Sequence, residues 1–119
     1  MTELTDTTDV ERLQLKRETD LLTAVAPRIP GSRTSRELSV VQRRPVSMEC
    51  NVSGVPPPAV TWSKDGERIF NGGRSRLLHA GRVLQVPAAL LDDAGVYVCT
   101  AQNVAGVDRK QFRLQVFGT

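Results

Sequence analysis

The chain offers few side chains able to do covalent chemistry, and those it has are badly placed for it. His79 is its only histidine, and it lies in His79-Ala-Gly81, which reads as a turn. Asp92 and Asp93 are the nearest pair of carboxylates. Adjacent residues on a strand point to opposite faces, so the two cannot act together as general acid and base. Two cysteines, Cys50 and Cys99, permit a single pairing. No Ser-His-acid set, Cys-His pair or four-ligand metal cluster can be assembled from this inventory. The expectation is a protein that is not an enzyme, holding no metal and no cofactor.

What remains is the chemistry of recognition. Asn51-Val-Ser53 is an N-glycosylation acceptor triplet, and Asn51 is expected to point outward on its strand. Arg74, Arg76 and Arg82 gather near one hairpin, and Arg109, Lys110 and Arg113 lie along the last strand. These cations read either as solvated charges that blunt strand edges or as sites for sulfated glycans or an acidic partner domain. Charge is divided unevenly along the chain. Residues 1–26 hold six acids against three bases, −3, and the remainder holds thirteen bases against seven acids, +6, which sum to the overall +3. The arginines are scattered over loops and strand faces with no aromatic platform or recognition helix, which argues against nucleic acid. No apolar run approaches the eighteen or so residues of a membrane span. The acidic N-terminus lacks the apolar segment and small-residue cleavage site of a signal peptide.

The elements that must position these residues are short strands. In Val46-Ser-Met-Glu-Cys-Asn-Val52 apolar and polar residues alternate, which predicts a half-buried strand with Cys50 inward. Gly54-Val-Pro-Pro-Pro58 is expected to end that ladder, since prolines donate no backbone hydrogen bond. It delivers Val60 and Trp62 to the next strand. Asp65-Gly66 predicts a tight turn, followed by a short return through Ile69 and Phe70. Residues 74–78 and 82–86 read as a hairpin, and Leu84, Val86, Ala89 and Leu90 are expected to lead inward. From Gly95, Val96 and Val98 face one way and Tyr97 and Cys99 the other. Gly106 is expected at positive φ in a turn before Phe112, Leu114 and Val116, which alternate as the last strand.

At the start of the chain, Pro27-Arg-Ile-Pro30-Gly31 predicts a junction. Residues 1–26 are then an extension or linker and residues 27–117 the domain. Ile29 is expected as an early buried anchor, and Arg36–Val41 as an edge strand. Two readings of the extension stand. Val10, Leu13, Leu21, Ala24 and Val25 fall near one helical face of a helical or disordered segment. Alternatively, Arg12-Leu-Gln-Leu15 echoes Arg113-Leu-Gln-Val116, as the remnant of a preceding repeat would.

A tyrosine two residues before a cysteine, after Asp93-x-Gly95, with Trp62 twelve residues beyond Cys50, resembles the signature of an immunoglobulin domain of the I-set. The runs at 54–66, 81–86 and 93–106 resemble the tandem repeats of hemicentin-type matrix proteins, and similar runs occur in titin-like proteins. The resemblance implies an all-β antiparallel sandwich, a Cys50–Cys99 bridge between its sheets, Trp62 packed on that bridge, and a Tyr97 hydroxyl bonded back to the backbone. It also implies that Asp93 pairs with Arg74 or Arg76. A bridge closing a loop of that length would contribute roughly 4 kcal/mol on the chain-entropy model. Two reduced thiols, as in intracellular relatives, remain the alternative. The implied role is an extracellular binding or spacer module of a matrix or cell-adhesion protein, cut from a longer secreted or receptor chain. Its partners would be other immunoglobulin repeats, matrix or cell-surface proteins. The other reading is a structural repeat of the sarcomeric type.

Overall fold

The computed structural model describes residues 22–118. The expectations for Val10, Leu13, Leu21 and the Arg12–Leu15 echo lie outside those residues. Among the described residues ten strands follow in order: β1 Val25–Arg28, β2 Arg36–Val41, β3 Val46–Glu49, β4 Ser53–Val55, β5 Ala59–Lys64, β6 Glu67–Ile69, β7 Arg76–Leu78, β8 Val83–Val86, β9 Gly95–Asn103 and β10 Gly106–Phe117. A single 3₁₀ turn, Leu91–Asp93, precedes β9.

The strands form an all-β immunoglobulin-like sandwich. One sheet has the order β2-β10-β9-β5-β6 and faces a second, β3-β8-β7, with β1 and β4 as a separate pair. β2 is an edge strand, as expected, but runs parallel to β10; the other strand pairings are antiparallel. Between the sheets Met48, Cys50, Trp62, Leu84, Tyr97, Cys99, Phe112 and Leu114 are buried, and Ile29 joins them just after β1. These are the inward members of the alternating runs, so the period of two, combined with one buried face, produces the core.

Several local expectations are corrected. Val25 belongs to β1, not to a helical face, and pairs with Val55. The alternating run from Val46 holds its sheet pairing only to Glu49. The Cys50 N–H then donates to the Arg82 carbonyl at 2.8 Å, and the chain turns to pair with β1. Gly54 therefore does continue a ladder. A Cβ there would lie 2.8 Å from the Pro58 Cγ and 3.2 Å from the Pro27 Cα, so the close approach of the proline loop and β1 favours glycine. Leu90 is exposed rather than inward, because the 3₁₀ turn lifts the chain off the core after Ala89. Gly106 is not among the residues at positive φ. Its turn is held instead by the Asn103 carboxamide, which accepts the Ala105 N–H at 2.8 Å. The Asp65-Gly66 turn is as expected, with φ of 49° and 89°, the left-handed pair that matches the twist of the flanking strands.

Candidate functional site

The central constellation lies where the two sheets meet. Cys50, just after β3, and Cys99, in the middle of β9, form a disulfide with Cα atoms 6.5 Å apart, and both are fully buried. Trp62 stands opposite Cys99 in the β5–β9 register. Its ring centroid is 5.4 Å from that of Phe112, and its indole N–H donates to the Gly81 carbonyl at 2.6 Å. A buried indole needs such an acceptor.

Tyr97, two residues before Cys99, also faces inward on this strand, 2 % exposed. Its hydroxyl donates to the Asp93 carbonyl at 2.6 Å. Burial, followed by the negative charges of Asp93 and Asp65, pushes its pKa up to about 12. Asp93 pairs with Arg74 and not with Arg76, and its carboxylate also accepts the Leu90 N–H at 2.7 Å. Both aspartates of the Asp92-Asp93 pair sit in the 3₁₀ turn rather than on a strand. Lys64 donates to the Asp92 carbonyl. Gly95 has φ of 151°, and a Cβ on it would meet the Asp65 carboxylate at 2.6 Å. That carboxylate accepts the Val96 N–H at 2.9 Å, so Gly95 and Asp65 make one device that starts β9.

The sequence reading missed Asn103. Its carboxamide nitrogen donates to the Val25 carbonyl at 2.8 Å and to the Pro56 carbonyl at 3.0 Å. One side chain thus ties β1 and the proline loop to the end of β9. The available signal was an asparagine just ahead of a two-residue turn, which marks a side chain able to bond nearby backbone.

The six cations singled out from sequence do not act as two uniform groups. Arg74 is engaged by Asp93. Arg76 is exposed on β7 and Arg82 is half-buried. Arg109 and Arg113 are exposed on the outer side of β10. Lys110 has the opposite parity, and its ammonium donates to the Gly31 carbonyl at 2.8 Å and lies 5.7 Å from the centre of the Phe112 ring. β7 and β10 belong to different sheets, so the two groups stay apart. Asn51 is exposed beside β3. A cleft of about 470 Å³ between β2 and β3 is lined by Ile29, Arg36, Met48, Glu49, Lys110 and Phe112, among others. It brings in one carboxylate, which cannot form an acid/base couple alone.

Exposed apolar side chains collect at the two ends of the sandwich. Val25 and Val55 pair across β1 and β4, with Val104 beside the Asn103 bonds, and all three are exposed. At the other end Val41 pairs with Phe117. The Arg43 N–H bonds the Ala89 carbonyl there, bringing exposed Leu90 and Leu91 alongside. The two groups sit at opposite ends of β10, about 36 Å apart at strand rise.

Residues 32–116 match the model of the immunoglobulin I-set domain. The chain is 40% identical over 102 residues to mouse hemicentin-1, an alignment covering 85% of this chain and 2% of that protein. It is 41% identical over 101 residues to chicken protein sidekick-2, covering 81% of this chain and 4% of that one. Among solved structures it resembles a chain of the titin M10–obscurin-like 1 Ig complex, with a TM-score of 0.71 and 34% identity over 80% of this chain and 97% of that one. The bridged cysteines, the tryptophan packed against Phe112, the tyrosine bonded back to Asp93 and the family match agree, and the chain belongs to the immunoglobulin I-set family.

Proposed function

We propose that this chain is a non-enzymatic binding and spacer repeat of an extracellular matrix or cell-adhesion protein, contacting other immunoglobulin repeats or cell-surface proteins. The observation that carries the reading is the buried Cys50–Cys99 bridge, because such bonds form and persist in oxidising compartments. The apolar groups at the two ends support the repeat half of the proposal. Neighbouring domains would cover Val25, Val55 and Val104 at one end and Val41, Leu90, Leu91 and Phe117 at the other. In this reading residues 27–117 are the repeat and residues 1–26 an extension or linker, and β1, Val25–Arg28, lies across their junction.

Likeness to a titin-containing complex favours a second reading, an intracellular repeat of the sarcomeric type. Thiol titration separates the two. Protein isolated from its natural source with an alkylating agent present should show no free thiol when unfolded. Two alkylated cysteines would refute the extracellular reading and leave the sarcomeric one.

A further inference from the structure

The outer face of the five-stranded sheet carries a pattern that is dispersed along the sequence. Because Phe112 and Leu114 turn into the core, Arg109, Gln111 and Arg113 project outward from β10. In register beside them lie Thr100, Val98 and Val96 of β9, then Thr61 and Ser63 of β5, all half-buried. Ser63 in turn pairs with Arg68 of β6. The centre of the face is therefore a flat patch of short, uncharged side chains. Two arginines flank it on one side and one on the other. The Arg68 guanidinium lies 4.9 Å from the centre of the Phe70 ring, and that ring is 67 % exposed.

With strands about 4.8 Å apart and a rise of about 3.3 Å per residue, Arg109 and Arg113 are roughly 13 Å apart and Arg68 about 16 Å from either. Such a triangle is too wide for one sulfate or phosphate group and does not lie along a line. Among the described residues none of the three arginines makes an ion pair. Of the acids near them, Asp65 holds the Val96 N–H and Asp108 holds the Ile29 N–H, while Glu37, in register beside Arg113, and Glu67, next to Arg68 on β6, make no ion pair with them.

We propose that this face docks a flat, acidic protein surface, in kind the sheet face of another sandwich domain carrying Asp and Glu at its rim. The proposal rests on the reading of the chain as a binding repeat. A β-branched centre gains free energy when a dry surface covers it, which a protein supplies and a hydrated sulfated chain does not. Arginine and aromatic side chains around such a centre are the types that dominate binding energy. A second copy of the same face would set arginine against arginine, so the partner must be of opposite charge. A patch of about 15 by 20 Å is below the usual size for a stable complex, which makes the contact transient.

A defined probe is this full chain with Arg68→Glu, Arg109→Glu and Arg113→Glu, which keeps the outline and the centre and reverses the rim. Should that variant fail to melt cooperatively, the Arg109→Glu/Arg113→Glu variant replaces it. Sedimentation velocity at 50 mM NaCl should show a one-to-one complex of wild type with the probe and neither protein associating alone. Affinity should fall about tenfold by 300 mM as the Debye length shortens. Val98→Lys in the wild-type chain should abolish the complex, and Arg76→Ala, on the opposite sheet, should leave it unchanged. No complex at 50 mM, or a complex indifferent to Val98→Lys, overturns the proposal. So does heparin binding that depends on Arg109 and Arg113 without any binding of the probe, which would make this a glycan site. Free thiols at Cys50 and Cys99 would refute the extracellular role and leave this result standing. A missing complex with the bridge intact would refute the docking face alone.

Discussion

Tyr97 links the core to alkaline pH in a way that can be measured directly. Its hydroxyl is buried and donates to the Asp93 carbonyl, and its pKa is pushed up from 10.0 to about 12. When the chain unfolds, the phenol regains its ordinary value near 10. Below pH 10 both states keep the proton and the contribution of Tyr97 is complete. Between 10 and 12 the unfolded state releases its proton first, so rising pH drives unfolding by about 1.4 kcal/mol per unit. Above 12 the contribution is gone, a total of about 3 kcal/mol. Tyr97→Phe has no such dependence. At pH 7 it loses the hydrogen bond and leaves the Asp93 carbonyl unpaired, costing about 1–2 kcal/mol. The two stabilities should therefore cross near pH 11, with the phenylalanine variant the more stable above it. Urea denaturation of both proteins from pH 7 to 12 reads the crossing. Because this is the only tyrosine in the chain, absorbance at 295 nm reports its ionisation without overlap from another. Parallel stability curves, or tyrosinate appearing near pH 10 in the folded protein, would refute the reasoning.

Trp62→Ala should cost about 3–5 kcal/mol in urea denaturation, more than Tyr97→Phe at neutral pH, because it empties the space against Phe112 and orphans the Gly81 carbonyl. Asn103→Ala should destabilise by about 1–3 kcal/mol and speed hydrogen exchange in β4, since its carboxamide joins β1 to the proline loop. Unchanged exchange there would show that the β1–β4 pair holds without it. Asn51 is exposed, so expression through a secretory route should give a product whose mobility shifts on deglycosylation and no longer shifts in Asn51→Gln.

The strand period, the Asp-Gly turn and the Cys50, Trp62, Tyr97, Cys99 set were legible because each is a local or fixed-spacing constraint. Alternation over a few residues sets which side chain faces the core, whatever the neighbouring strand is. The same local logic failed where a partner distant in sequence decided the outcome. Gly54 looked like the end of a ladder until β1 paired with it, and Leu90 looked inward until a 3₁₀ turn raised it. Gly106 needed no positive φ because Asn103 supplied the turn bond. The arginines show the limit most clearly. Spacing grouped Lys110 with Arg109 and Arg113, but parity turns it to the other side of the sheet, while Arg68, some forty residues away in sequence, joins their face through the β5–β6 and β5–β9 registers. Sequence by itself determined the inward parity of the alternating strands, and its resemblance to I-set domains implied the sandwich and the bridge. Only the tertiary structure decided which cations share a surface, because strand order and register are set by pairing across long separations and not by any residue's own neighbours.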